Sequence, residues 1–494
     1  MLAVLAIAVS GCGGDSDSGA GPLDNALGYL PEDAPLVITI DTNVDGGQFG
    51  AIKKLADKFP FANQIEERLQ QQLEGGGVSY QSDVKPLLGN EFVVGATNPA
   101  AIVNRDDEDN DEFVGAIQVK DAGKLEDLIK KEGEEKGETA GAKIYEDDDG
   151  DAFAIEEEVL VVANDRRRLD AALEQRDGDD RLTEDKFNES VDGLPKEALV
   201  KLGGDLQKLI ESDPDTADAR KVAWVKALRT FGATLSFAAD RAELDFKLAT
   251  DGGELSEEDI PLATGDESPA VLNLANEIGV GLRDPAQLFS FGESAAQAVS
   301  PRQYADYQQT KAATERRLGI DIDEDLIGQL EGDASISIST GGAVGARIEL
   351  EDEDAFATTL RKLEKELPAL LSSTGGSPTR LTRAGDFTLL RSADGESLAY
   401  TIDEGALVIS DSVARARQVA DGRTEEVDGA KGALVVNTDA QQLFLDALRS
   451  RGGLGGGLGQ ALGGQLIAGP LDELTGSARA SKDGITGKVS LTFD

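Results

Sequence analysis

The chain repeats its own landmarks in the same order, and a repeat of this length decides the fold before any local motif does. Ala34-Pro35 ahead of LVITI (36–40) finds a counterpart in Ser268-Pro269 ahead of AVLNL (270–274). Gly89 before NEFVVG (90–95) returns as Gly332 before DASISI (333–338). Val114-Gly115-Ala116, then Asp121 and KLEDLIKK, returns as Val344-Gly345-Ala346, then Asp352 and AFATTLRKL. KIYEDDDGDAFAI (143–155) and VLVVAND (159–165) match FTLLRSADGESLAY (387–400) and ALVISDS (406–412). ALVKLGGDLQKLI (198–210) matches ALVVNTDAQQLFL (433–445), and Asp240 with LDFKLATD (244–251) matches Asp483 with GKVSLTFD (487–494). The reading is two tandem homologous copies, residues 28–251 and 267–494, joined by an acidic linker at 252–266.

Within each copy the hydrophobic period alternates. VVGAT, VGAIQV and LVVAN are short, β-branched and bounded by turn residues, as strands are. The stretches 50–73 and 124–131 carry apolar residues at helical spacing. Asp121 and Asp352 stand where an N-cap accepts free backbone N–H groups. Asp149-Gly150 and Asp394-Gly395 lie between strand-like runs, and both residue types tolerate the positive φ of a tight hairpin turn. Adjacent hairpins interspersed with helices give the expected class: α+β, each copy a largely antiparallel sheet with packed helices.

The N-terminus carries the clearest functional signal. LAVLAIAV (2–9) is too short for a bilayer span, which needs ~20 apolar residues, but suits the apolar core of a secretory signal. Val9-Ser10-Gly11-Cys12 then reads as a bacterial lipobox, with residues 1–11 as signal peptide. Cys12, the single cysteine of the chain, takes the lipid. Residues 12–27 are expected to be a flexible tether. No Lys or Arg precedes the apolar run, so the basic region of such a signal is expected upstream of Met1.

These features together resemble a group of bacterial envelope proteins common in high-GC Gram-positive genomes. The resemblance rests on the LP-x-DAPLVITID opening (30–41), the Gly before a strand at 89, and the order strand, Asp, helix, DG hairpin, LVVAN, helix. That family is classed as a domain of unknown function, and its members are often described as lipoproteins. The resemblance spans most of residues 28–494. It implies the envelope as location and brings no catalytic residues.

Composition narrows the chemistry. With 94 Asp+Glu against 48 Lys+Arg the formal net charge is −46, which argues against nucleic acid, whose phosphates are bound by Lys and Arg. There is no histidine. Ser-His-Asp and Cys-His nucleophile systems are therefore excluded, and the usual zinc sites lack their ligands. One cysteine excludes an intramolecular disulfide.

The remaining motifs are weak. Asp147, Asp149, Asp151 and Glu158 occupy positions 1, 3, 5 and 12 of an EF-hand Ca²⁺ loop, but Ala152 replaces its required Gly and the flanks read as strands. Copy two holds Ser392, Asp394, Glu396 and Asp403 there. DDEDNDE (106–112) reads as a solvated loop. Asp321, Asp323 and Asp325 read as helix N-terminal acids. Ser82-x-x-Lys85 spells the acylating motif of penicillin-binding enzymes, yet Pro86 disfavours the helix that motif needs. The run 451–464 lacks phosphate-loop order and reads as a mobile loop. Arg166-Arg167-Arg168 reads as a solvated helix start, and Trp224 as core. No cofactor is expected.

The expectation is a lipid-anchored, extracytoplasmic protein, not an enzyme, that binds or scaffolds an envelope component: lipid, glycan or protein. A carboxylate-dependent hydrolase, needing only two acids, and a cation-dependent adhesion or assembly module are the alternatives.

Overall fold

The structure, a computed structural model, describes residues 21–60, 79–103, 113–132, 134–147, 150–366, 379–395, 397–450 and 468–494. Two units emerge. Unit 1 holds the chain to Ala217 with Leu228–Ala249 and Phe493–Asp494; unit 2 holds Asp218–Ala227 and Thr250–Thr492.

In unit 1 the β-branched runs become β1 (Leu36–Asp41), β2 (Glu91–Ala96), β3 (Phe113–Gln118), β4 (Glu134–Thr139), β5 (Ala142–Glu146), β6 (Ala152–Glu156), β7 (Val159–Ala163), β8 (Val200–Asp205), β9 (Leu228–Phe237) and β10 (Arg241–Thr250). The pairing runs β4-β5-β6-β7-β3-β2-β1-β8-β9, antiparallel throughout. Both faces of the sheet are covered, so its middle strands bury side chains on each side. On one face the helices Pro22–Leu27, Arg166–Arg176 and Glu184–Val191 set Leu27, Leu169, Leu173 and Phe187 over Val93, Ile144 and Val161. On the other, Leu125 and Ile129 of Ala122–Glu132 pack on Ile117, Tyr145, Phe153 and Leu160.

Unit 2 contains β11 (Val271–Asn273), β12 (Glu277–Leu282), β13 (Ala334–Ser339), β14 (Val344–Glu349), β15 (Thr379–Ala384), β16 (Phe387–Ser392), β17 (Ser397–Asp403), β18 (Ala406–Ser410), β19 (Arg423–Glu425), β20 (Leu434–Asp439), β21 (Leu471–Ser481) and β22 (Gly484–Phe493). Its sheet runs β15-β16-β17-β18-β14-β13-β12-β20-β21, again antiparallel. The helix Val413–Ala420 lays Ala416 and Val419 on Phe387, Ala399 and Val408. The α+β class with antiparallel sheets stands. The DG hairpins form as expected: Gly150 joins β5 to β6 at φ +91° and Gly395 joins β16 to β17 at φ +94°. Asp352 accepts from the N–H of Ala355 at 2.9 Å and Asp121 from that of Lys124 at 3.0 Å, both capping helices.

Four expectations need revision. The stretch 12–27 is not tether to its end, because Pro22–Leu27 is a helix with Leu23, Ala26 and Leu27 buried in unit 1. The stretch 252–266 is not a free linker: Leu255 and Ile260 are buried, and Gln287 Nε2 donates to the carbonyls of Glu257 and Ile260. Two apolar residues within an acidic run suffice to dock it. The helix read from residue 50 closes at Ala56, and residues 61–73 lie outside the described residues.

The fourth revision concerns the repeat register. AVLNL does not hold in unit 2 the sheet position that LVITI holds in unit 1; β12 does, paired to β13 and β20 as β1 is to β2 and β8. β11 instead pairs with β19 in a separate ribbon. It runs beside β12 at two glycines, where a Cβ on Gly281 would fall 2.8 Å from the Ala270 carbonyl oxygen and one on Gly279 would fall 3.0 Å from that of Leu272. Unit 1 has the corresponding pairing at Pro31 and Arg181. A short buried apolar run reads the same whether it lies in a sheet or across one.

Candidate functional site

One concavity of unit 1, lined wholly by described residues, begins with glycines. Gly203 and Gly204 on β8 and Gly232 on β9 leave no room for side chains: a Cβ on Gly203 would meet Ser190 Oγ at 2.0 Å, and one on Gly204 the Pro35 carbonyl oxygen at 2.3 Å. The helix Glu184–Val191 therefore sits directly on strand backbone. Thr183 caps it by accepting from the N–H of Lys186, and Ser190 Oγ donates to the Phe187 carbonyl at 2.7 Å. Beside that contact opens a cleft of about 580 Å³, within the ~300–1,000 Å³ of small-ligand sites. Its floor is Ala34, Val37, Leu182, Phe187, Gly203 and Gly204.

The walls are polar and of both signs. Glu32, Asp33, Asp180, Glu189 and Asp205 line it together with Lys186, Arg229, Ser190, Gln207 and Thr230. Most of these carboxylates already hold a partner. Asp33 pairs with Lys208 at 2.7 Å, Glu189 with Lys186 at 2.9 Å, Asp180 accepts from Gln175 at 3.1 Å, and Asp205 caps the helix Leu206–Ser212 through the N–H of Lys208. The bond to Glu189 holds the Lys186 ammonium above the usual lysine range, with Glu32 and Asp205 adding to it. Arg229 Nη1 donates to the Leu228 carbonyl at 2.9 Å. Such a surface can place hydrogen-bond donors and acceptors around a polar ligand.

None of the candidate site residues named from the sequence lies at this cleft. The available signal was the GG pair inside the strand run VKLGGD, since a glycine inside a strand marks close approach of another backbone.

The residues that were singled out are dispersed. Cys12 lies outside the described residues, as do Asp149, Glu396, the run 106–112 and the glycine-rich run 451–464. Asp147 and Asp151 close the β5–β6 turn on each other, the Asp151 N–H donating to Asp147 Oδ1 at 2.9 Å. Glu158 lies beyond the far end of β6, in the β6–β7 turn, at φ +73°. At ~3.3 Å per residue that strand keeps it roughly 20 Å from Asp151, so the four residues do not converge as an EF-hand loop requires. Asp321 Oδ1 accepts from the N–H groups of Asp323 and Glu324, which is the capping role expected. Glu315, Asp321 and Asp323 bring carboxylate oxygens within 4.8 Å of one another, and buried Lys311 pairs into the group through Asp323 and also reaches Glu293 at 3.5 Å.

Ser82 Oγ donates to Asp83 Oδ1 in a turn that ends at Lys85–Leu87, with Pro86 inside it. Arg166 pairs with Asp170 and Arg168 with Asp165, both at 2.8 Å. Trp224 is buried, on a helix that spans only Ala223–Ala227 before β9 begins. Among the described residues no helix is long and apolar enough to cross a membrane.

The fold and cleft define a two-unit α+β protein with a polar concavity in its first unit. The family model described as "Protein of unknown function (DUF3352)" matches residues 1–367, and the chain belongs to that family. Among solved structures it is similar to crystal form III of TP0453, at 11% identity and a TM-score of 0.26, covering 47% of this chain and 82% of that one. Crystal form I of TP0453 gives 11% identity and 0.26, covering 48% and 82%. No curated protein matches.

Proposed function

We propose that this chain is a bacterial lipoprotein anchored through Cys12 to the outer face of the cytoplasmic membrane, and that it binds a polar envelope component in the cleft of unit 1. The single observation that carries the binding role is the cleft itself: a glycine-floored concavity lined by acids, two cations and hydroxyl groups. The role is binding without catalysis, since Asp33, Asp180, Glu189 and Asp205 are engaged in ion pairs, a side-chain bond and a helix cap. A glycan or peptide suits such walls better than an acyl chain. Covering charged walls with hydrocarbon would strip their water and supply no hydrogen bonds in return. The two units are read as products of one duplication, a reading supported by their common strand order.

Two measurements test this. Cys12→Ser should move the protein from the membrane fraction to the medium; continued membrane fractionation would refute the anchor. Native mass spectrometry of that soluble form should show a co-purifying polar ligand that Gln207→Trp, which obstructs the cleft, displaces. A ligand retained by Gln207→Trp, or none in the parent, would sink the cleft as the binding site.

A further inference from the structure

The β15–β16 hairpin of unit 2 carries two arginines that no described residue neutralises. β15 pairs with β16 in unbroken register, and Arg380 stands directly opposite Arg391. Opposed residues of an antiparallel pair have Cβ atoms ~4.5–5.5 Å apart, where like charges repel. Both arginines are exposed. Among the described residues neither has an ion pair or a side-chain hydrogen bond. The next strand offers Arg391 only Ser397, whose hydroxyl donates to the Asp411 carbonyl at 2.6 Å.

This is out of character for a chain with 94 acids and 48 bases. Nearby cations are matched: Arg383, on the opposite face of β15, binds both carboxylate oxygens of Glu364 at 3.2 and 2.9 Å. Unit 1 shows what compensation looks like at the same sheet position. There β4 and β5 oppose Glu134 and Glu146, and Lys136 bonds Glu134 at 2.8 Å. Unit 2 keeps the like-charge opposition and reverses its sign, and no described residue supplies a counter-charge.

We propose that Arg380 and Arg391 form an oxyanion site for a phosphate-bearing ligand, supplied by an anionic lipid headgroup or by a soluble phosphate compound. Two guanidinium forks side by side match the several acceptor oxygens of one phosphate group, and such charge-assisted bonds are the strong ones. A bound dianion converts the repulsion across the two strands into a shared attraction. The site is independent of the cleft in unit 1.

The test is calorimetric titration of the full Cys12→Ser chain with inorganic pyrophosphate, alongside flotation with vesicles of phosphatidylglycerol or of phosphatidylcholine. Saturable pyrophosphate binding is expected. Arg380→Gln with Arg391→Gln should weaken it by about tenfold or more, and the Arg→Lys pair, which keeps charge but loses the fork, by a smaller factor. Without ligand the glutamine variant should melt at or above the parent temperature, because the opposition is relieved; this reads out folding separately. Flotation with phosphatidylglycerol alone, competed by pyrophosphate, identifies a headgroup as the source; pyrophosphate binding without flotation identifies a soluble phosphate. No saturable binding by the parent, or equal binding by the glutamine variant, would overturn the site.

Discussion

Units 1 and 2 run their strands in one order but fill the space under one helix in opposite ways. In unit 1 the helix Arg166–Arg176 is capped by Asp165, and Arg168 turns back to that carboxylate at 2.8 Å. In unit 2 the helix Val413–Ala420 is capped by Ser412, which has no charge to offer. Its third residue, Arg415, goes inward and pairs with Glu277, the first residue of β12, and also donates to Ser337. The first residue of β1 is Leu36, and the β2 position matching Ser337 is Val94. One cap residue thus accompanies the choice between an apolar core and a buried ion pair. Burial alone would raise the Glu277 carboxyl, but the bonds from Arg415 and Ser337 outweigh it and hold it below the usual carboxylate range. A pair like this specifies geometry more than it adds stability, because desolvation offsets most of the attraction.

Among the largest effects that would sharpen this contrast is that of Arg415→Ala. It strands Glu277 as an unpaired, partly buried charge and should cost about 2–4 kcal/mol, read by denaturant unfolding; a loss below 1 kcal/mol would mean the pair is solvated. Leu173→Ala, fully buried in unit 1, should cost about 2–5 kcal/mol by leaving a cavity, so that the two cores fail through different mechanisms at similar magnitude. The sharper experiment transplants unit 1 into unit 2. Ser412→Asp with Glu277→Leu gives Arg415 a carboxylate at the cap and removes its buried partner, and should stay within about 1 kcal/mol of the parent or exceed it, as apolar replacement of buried pairs often does. Severe destabilisation would show that the cap does not govern the arginine.

The smallest effect is in acid. Glu277 titrates lower in the folded chain than unfolded, so its contribution is complete above the unfolded value near ~4.3 and is lost as pH falls through the folded value. Melting temperatures of the parent should therefore drop further between pH 5 and pH 3 than those of the transplanted variant; parallel curves would remove Glu277 as a source of acid sensitivity.

Strands, caps and the DG hairpins were legible in the sequence because each rests on local chemistry: β-branching, a carboxylate beside free N–H groups, a glycine at positive φ. What rests on one segment meeting another was not. The slip of AVLNL against LVITI arose because Gly279 and Gly281 dilute the alternation of β12, while the buried pair Val271-Leu272 imitates a strand of the main sheet. The cleft was missed for the same reason, since Gly203 and Gly204 acquire meaning only once Ser190 and Pro35 lie against them. The EF-hand spacing at Asp147 to Glu158 counts residues along the chain, and an intervening strand separates what a loop would gather.

The helix at Pro22–Leu27 sets a leash. With Leu23 and Leu27 locked into unit 1, the only chain left to pay out between a lipid on Cys12 and the folded body is residues 13–21. Even drawn straight at ~3.3–3.6 Å per residue, that reaches about 30 Å. Under the proposed anchoring, the start of that helix stays within a bilayer's thickness of the lipid, so unit 1 works beside the membrane rather than far from it.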